Sequence, residues 1–252
     1  MQWLHRWFAT SAGQELADQE SRLISRRLAG LYAQRVLQVG DYGGGRCPTV
    51  FGDARLWVLD NWRGGQTDLR ASPEVLPLAS GSVDVVVLIH QLEFAERPHQ
   101  VIREAARALA PEGHLLVVGF NPLSLWGLRR MLAAGRSEPP WAGRYLGALR
   151  VGDWMQLLGL IPRPHDGIAL MPPLPQRLRR KAAARPSNYG RSLGPGLRWI
   201  GGVHLVMGQK RVAGPTAPRL RWHRRLELIP GGIPQASAGA RNAGRERLND
   251  TG

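Results

Sequence analysis

Four short runs of apolar residues punctuate the first half of the chain. They are Val36-Leu37-Gln38-Val39, Leu56-Trp57-Val58-Leu59, Val83–Ile89 and Leu115-Leu116-Val117-Val118. Each is too short for a typical helix, and Val83–Ile89 has almost no polar alternation. That pattern fits strands covered on both faces, as in a parallel sheet. Between and around the runs the period changes to that of a helix. Leu16, Leu23, Ile24, Leu28 and Leu31 predict an amphipathic helix over about 14–31. Pro98 suits a first helical turn, and Val101, Ile102, Ala105, Ala106 and Leu109 form a buried stripe, with Arg103, Glu104 and Arg107 outside it. Pro111-Glu112-Gly113 stops that helix. A short third strand is expected within Gln66–Arg70. Further helices are expected from Ser124, as cap, to Ala134 and over Val151–Leu158. A proline-interrupted strand lies between Ile161 and Leu170, and Val203–Gln209 alternates as a last strand. Strands alternating with helices predict an α/β fold: a Rossmann-like, doubly wound, mostly parallel sheet with helices on both faces.

Composition adds a division. Residues 1–166 carry 18 arginines against 16 acids, a net of +2, whereas residues 167–252 carry 14 arginines and 2 lysines against 3 acids, a net of +13. Residues 213–252 are rich in Gly, Pro, Ala and Arg and poor in apolar residues, so they are expected to be a disordered basic tail behind a domain over 1–212. The asymmetry makes nucleic acid a candidate partner; a compositional preference for arginine (32 Arg against 2 Lys) is the plainer reading. The single cysteine, Cys47, excludes an internal disulfide and a multi-cysteine metal site. No apolar run approaches the roughly 18 residues of a membrane span, and Met1–Phe8 is too short and polar for a signal-peptide core, with Trp3, Trp7 and Phe8 expected to pack on the domain. A cytoplasmic protein without membrane or metal partners is expected.

Candidate chemistry gathers between Arg35 and His90. Gly40-Asp41-Tyr42-Gly43-Gly44-Gly45 follows the first strand, where an open α/β sheet places its ligand crevice. It has no G-x-G-x-x-G register. It also fails as a P-loop, because Arg46 and Cys47 stand where Lys and Ser/Thr are needed. A glycine turn that approaches a ligand and a plain tight turn both fit. Asp60 ends the second strand, twenty positions after Gly40, where a carboxylate can accept hydrogen bonds from a ribose diol or simply face solvent. His90, ending the run Val83–Ile89, is the one acid–base candidate, or else a strand cap; Glu93 beside it orients it or is a surface charge. Asn121-Pro122 follows the wrong strand and lacks the second proline and the aromatic of an adenine-methylating motif, so Asn121 is expected to close a loop above the sheet.

Three stretches then carry a family resemblance. They are Ser72-Pro73-Glu74-Val75-Leu76-Pro77-Leu78 running into Ser82-Val83-Asp84, then Leu92-Glu93-Phe94, then Arg103-Glu104 with Arg107-Ala108-Leu109-Ala110-Pro111-Glu112-Gly113. As a set, over residues 35–130, they resemble the class I S-adenosylmethionine-dependent methyltransferases of the type 11 kind. Phe120–Arg130 resembles an uncharacterised bacterial subgroup. The resemblance implies S-adenosyl-L-methionine as cofactor. Gly40, Asp41, Tyr42 and Gly43 would approach its methionine part, Asp60 its ribose hydroxyls, and Ser72, Pro73, Glu74 and Val75 its adenine. His90 would face the sulfonium and the methyl acceptor. Gln38 stands where the family has an acid, Tyr42 where it has a glycine, and Ser72 where an acid meets the adenine amino group. The expected function is methyl transfer to an unidentified acceptor. The alternative is a methyltransferase-fold binding protein without catalysis that contacts nucleic acid through the arginine-rich half.

Overall fold

The computed structural model describes residues 2–41, 53–61, 67–132, 142–168 and 198–211. The chain divides into two compact units, Met1–Ala213 and Gly214–Gly252. The expected disorder of 213–252 therefore falls outside the described residues, as do Tyr42 and Gly43 of the glycine cluster.

The N-terminus forms two helices, α1 (Gln2–Phe8) and α2 (Ser11–Leu28). Helix α2 begins three residues earlier than its apolar period predicts because Thr10 caps it, its hydroxyl accepting the Gly13 N–H at 3.2 Å. Gly13 is a close-approach residue: a Cβ there would sit 2.4 Å from the Trp7 carbonyl oxygen and 2.5 Å from the Phe8 Cα. The two helices thus fold back on each other. Leu4, Phe8, Leu16, Ile24 and Leu28 all bury against one face of the sheet.

The sheet contains β1 (Arg35–Val39), β2 (Arg55–Asp60), β3 (Leu69–Arg70), β4 (Val83–Ile89), β5 (Leu109–Phe120), β6 (Leu160–Pro162), β7 (Asp166–Ile168) and β8 (Val203–Lys210). Its order is β3-β2-β1-β4-β5-β8-β6, with β7 also on β8. Strands β1 to β5 run parallel; β8 is antiparallel to β5, β6 and β7. The unbroken apolar run of β4 now has its reason. Val85, Val87 and Ile89 point into the layer under α1 and α2, while Val86 and Leu88 point into the opposite layer. That second layer is closed by α3 (Pro98–Ala108) and α5 (Ala148–Leu157). Ile102 of α3 has no exposed surface, and burial of such a side chain contributes about 1.5–3 kcal/mol. This is the doubly wound, mostly parallel α/β architecture that the pattern predicts.

Strand β5 differs from expectation. It does not start at Leu115 after a break but runs from Leu109 through Pro111-Glu112-Gly113. The chain absorbs the interruption as a register shift against β4 between Val83 and Val85, with Glu112 at φ 62°. Gly113 is needed there, since a Cβ would lie 2.9 Å from the carbonyl oxygens of Ala110 and Asp84. After β5, Asn121 closes a loop as expected. Its side-chain amide donates to the Trp199 and Gly201 carbonyls at 2.6 and 2.8 Å. Ser124 then caps α4 (Leu125–Leu132), accepting the Gly127 N–H at 3.3 Å.

Candidate functional site

The carboxyl ends of β1, β2 and β4 lie side by side, at the switch point where an open α/β sheet leaves a crevice. At the end of β1 the chain turns at Gly40, whose φ of +101° favours glycine. The turn is tied on three sides. The Gly40 N–H donates to Leu59 O at 2.9 Å, the Gln38 amide donates to Gly40 O at 2.9 Å, and the Asp41 N–H donates to Asp60 Oδ2 at 3.0 Å. Gln38 is fully buried and spends an amide N–H on holding its own turn. Asp60 is 3 % exposed, and His5 Nε2 of α1 lies 3.4 Å from its Oδ2. The structure therefore brings together Gly40, Asp41 and Asp60, and adds His5, which the sequence did not single out.

His90 occupies a different setting from the one expected. It sits at φ 48°, its N–H donating to Val118 O at 3.0 Å. Its ring has no exposed surface. Nε2 is 2.8 Å from Glu20 Oε1 of α2, and Nδ1 is 3.0 Å from Glu93 Oε1. The ring stacks on Phe120 at 4.2 Å between centroids. Glu93 Oε1 also accepts the Phe120 N–H at 2.8 Å. The expectation of His90 as an acid–base residue facing cofactor and acceptor is thus corrected. Both ring nitrogens are held by carboxyl groups inside the core, which fits a positioning residue. Glu93 is not a surface charge but the hub of this cluster.

Electrostatics set the protonation of the cluster. Burial alone would drive the proton off His90, but Glu20 and Glu93 outweigh it and push the imidazole up to about 10 from an ordinary 6.5. The neighbouring His204 of β8 has the opposite fate: burial pushes it down to about 4, against the pull of Glu93. The signs give a prediction. A folded value above the unfolded one stabilises fully below about pH 6.5 and loses that contribution as pH rises to about 10. His204, with its value depressed, binds its proton more readily when unfolded, so stability falls as pH drops from about 6.5 to about 4. Thermal melts across a buffer series are expected to show highest stability around neutrality and a decline on both sides. A melting temperature that stays level from neutral pH to about pH 10 would show that His90 carries no buried charge.

The segment expected to line the adenine is also reassigned in part. Pro73 is buried, Ser72 is exposed, and Val75 is 65 % exposed. The Ser72 hydroxyl accepts the Glu74 N–H at 3.2 Å. Glu74 does not face the crevice with its carboxylate. One oxygen accepts the Arg97 N–H and the other the Arg97 Nε–H, both at 2.9 Å, so the group anchors the start of α3 and is held below the usual carboxylate range by Arg97. Glu104 and Arg107, expected on the solvent face of α3, instead clamp the following loop. Glu104 accepts the Leu76 N–H at 3.1 Å, and Arg107 donates to the carbonyls of Leu76 and Leu78. The Arg-Glu…Arg motif is thus a loop clamp. Among the described residues no group of His, Cys, Asp or Glu is placed to hold a metal ion, and no helix is long and apolar enough to cross a membrane.

Comparison with known proteins agrees with this fold. Residues 59–117 match the methyltransferase domain family model. Over 96 residues the chain is 40% identical to the uncharacterised protein YafS of Escherichia coli K12, covering 38% of this chain and 40% of that protein. Among solved structures, a chain from the complex of the Haloferax volcanii Trm112 methyltransferase activator with a methyltransferase superposes with TM-score 0.57. It is 17% identical, covering 84% of this chain and 98% of its own. A methyltransferase dependent on S-adenosylmethionine from Thermotoga maritima superposes with TM-score 0.53, also 17% identical, covering 82% and 93%. This similarity implies S-adenosylmethionine as the cofactor; in this chain Asp60 ends β2 and the turn at Gly40 follows β1. Residues 59–117 thus resemble a methyltransferase domain, and the fold is the one found in solved S-adenosylmethionine-dependent methyltransferases.

Proposed function

We propose that the protein transfers a methyl group from S-adenosylmethionine to an acceptor bound beside the carboxyl end of β4. The carrying observation is the buried Asp60 carboxylate at the end of β2, joined to the β1 turn through the Asp41 N–H at 3.0 Å. A carboxylate can accept several hydrogen bonds, and a ribose diol offers two donors. The donor set fits the cofactor: Asp60 for the ribose hydroxyls, the backbone at Gly40 and Asp41 for the methionine part, Ser72, Pro73 and Val75 as one wall for the adenine. The cofactor, when bound, would supply an electrophilic methyl carbon open to in-line attack by the acceptor, with S-adenosylhomocysteine as the leaving group. The protein's contribution is then mainly orientation. In this reading the Glu20–His90–Glu93 cluster fixes the end of β4 as a rigid floor. Its three side chains are at most 3 % exposed, so no proton transfer to the acceptor is assigned to His90.

Calorimetric titration of the purified chain with S-adenosylmethionine, and with its demethylated product S-adenosylhomocysteine, tests the reading. Saturable binding of both, in the micromolar range or about 8 kcal/mol, is expected. Absence of heat for either up to millimolar ligand would remove the methyltransferase assignment.

A further inference from the structure

A cavity lies at the starts of α3 and α5. Its volume is about 490 Å³, within the range of small-molecule sites. Four arginines line it, Arg97, Arg130, Arg144 and Arg150, against the single acid Glu96. Tyr145 and Trp154 give it apolar walls. The cavity is joined to the end of β4. The Arg144 N–H donates to the Glu93 carbonyl at 2.8 Å, and the Tyr145 ring stacks on Phe120 at 5.1 Å, which in turn stacks on His90.

The arginines are not consumed by internal ion pairs. Among the described residues Arg97 alone of the four has a carboxylate partner, Glu74, and 72% of its side chain remains exposed. Among the described residues the Arg144 side chain reaches only the Glu96 carbonyl, at 3.2 Å. Arg130 lies over the Tyr145 ring at 5.4 Å, and its Nε is a buried donor with no partner among the described residues. A buried N–H left without an acceptor costs about 1–3 kcal/mol, and like charges gathered in a partly apolar cavity repel. Both costs are relieved by one ligand group, an oxyanion.

Helix geometry adds to the field. Helices α3 and α5 both start at this cavity, α3 with Pro98 and α5 just before Arg150. Neither has an acidic residue in its first turn, and neither has a side-chain cap. Helix starts carry partial positive charge and usually attract acids. At α3 the Glu74 carboxylate already answers the helix start and Arg97, whereas the start of α5 and the guanidinium groups of Arg130, Arg144 and Arg150 meet one lining carboxylate, Glu96.

We infer that this cavity holds the oxyanion of a small methyl acceptor, a phosphate or a carboxylate, through Arg130, Arg144 and Arg150. Guanidinium forks suit both groups. The concave shape and the aromatic walls favour a compact molecule over an extended polyanion. The acceptor role rests on the proposed methyl transfer, whereas oxyanion binding does not.

The test measures oxyanion binding and cofactor binding separately on the full chain. Pyrophosphate probes the phosphate arm and tricarballylate the carboxylate arm, each titrated calorimetrically. At least one should bind the wild type, and the Arg150→Glu and Arg130→Met variants should weaken it on the order of tenfold or more, as expected for loss of a charged hydrogen bond. Both variants should melt like the wild type and keep its affinity for S-adenosylmethionine. Loss of oxyanion binding in the variants, with no cofactor binding by the wild type, would keep the oxyanion site and remove its acceptor role together with the methyltransferase reading. No binding of either probe, or binding that both variants leave within about twofold, would overturn the site. A single-stranded oligonucleotide that binds the wild type more tightly than either probe and is weakened equally by Arg150→Glu would also overturn it, in favour of nucleic acid.

Discussion

Replacing His90 by asparagine is expected to lower the melting temperature by roughly 10 °C or more, a loss of about 3–5 kcal/mol. The reason lies in what remains behind. Glu20 and Glu93 reach His90 from opposite sides, at 2.8 and 3.0 Å, and are each 3 % exposed. Without the imidazolium, two carboxyl groups share a water-poor space with no cation, and one of them must take up a proton for the core to stay closed. Asparagine is chosen because His90 sits at φ 48°, a conformation that asparagine adopts more readily than most residues. Backbone strain is thereby kept out of the comparison. Changing both neighbours as well, with Glu20→Gln and Glu93→Gln, should recover much of the loss, because the neutral trio no longer buries unpaired charge. The decline in stability from neutral pH to about 10 should also vanish in the single variant, since the titrating group is gone. A melting temperature within about 3 °C of the wild type would mean that the cluster holds no buried charge.

The same cluster shows where sequence reading stops. Strand β4 was legible because both its faces are buried, which leaves seven residues with hardly a polar interruption. Asp60 was legible as an acid closing a strand at a fixed distance from a glycine turn. Glu20 was not. On an amphipathic helix a glutamate reads as solvent-facing, and its partner lies 70 positions away. Only the folding of α1 and α2 back over the end of β4 gives it a buried role. Glu74 and Glu104 mislead in a related way, since an acid beside a candidate site carries no mark to say whether it faces a ligand or a neighbouring arginine. The start of β5 was missed because proline and glycine within five residues mean a stop by local chemistry. The pairing with β4 and β8 overrides that preference by accommodating a bulge. The oxyanion cavity had no signal in the sequence at all, because Arg97, Arg130, Arg144 and Arg150 come from three separate segments, each ordinary alone.

Asp60→Ala is expected to weaken S-adenosylmethionine binding about a hundredfold, the equivalent of roughly 3 kcal/mol. Two hydrogen bonds from a ribose diol to a carboxylate are worth about that much when the site is shielded from water, and Asp60 is 3 % exposed. The substitution has a second consequence that must be separated from the first. Oδ2 also accepts the Asp41 N–H at 3.0 Å, so alanine frees the turn after β1 and could weaken binding through disorder of the backbone alone. Asp60→Asn distinguishes the two. Its carbonyl oxygen keeps an acceptor for Asp41, while its charge is gone and one oxygen becomes a donor. If the carboxylate holds the ribose, asparagine should still lose most of the affinity, whereas if Asp60 only shapes the turn, asparagine should bind like the wild type. His5 supplies the remaining control. Its Nε2 lies 3.4 Å from the same oxygen, so His5→Ala removes the α1 contact without touching the carboxylate. Affinity that survives His5→Ala but collapses in both Asp60 variants assigns the effect to the carboxylate itself. Equal loss in all three would instead assign it to the packing of α1 over the end of β2.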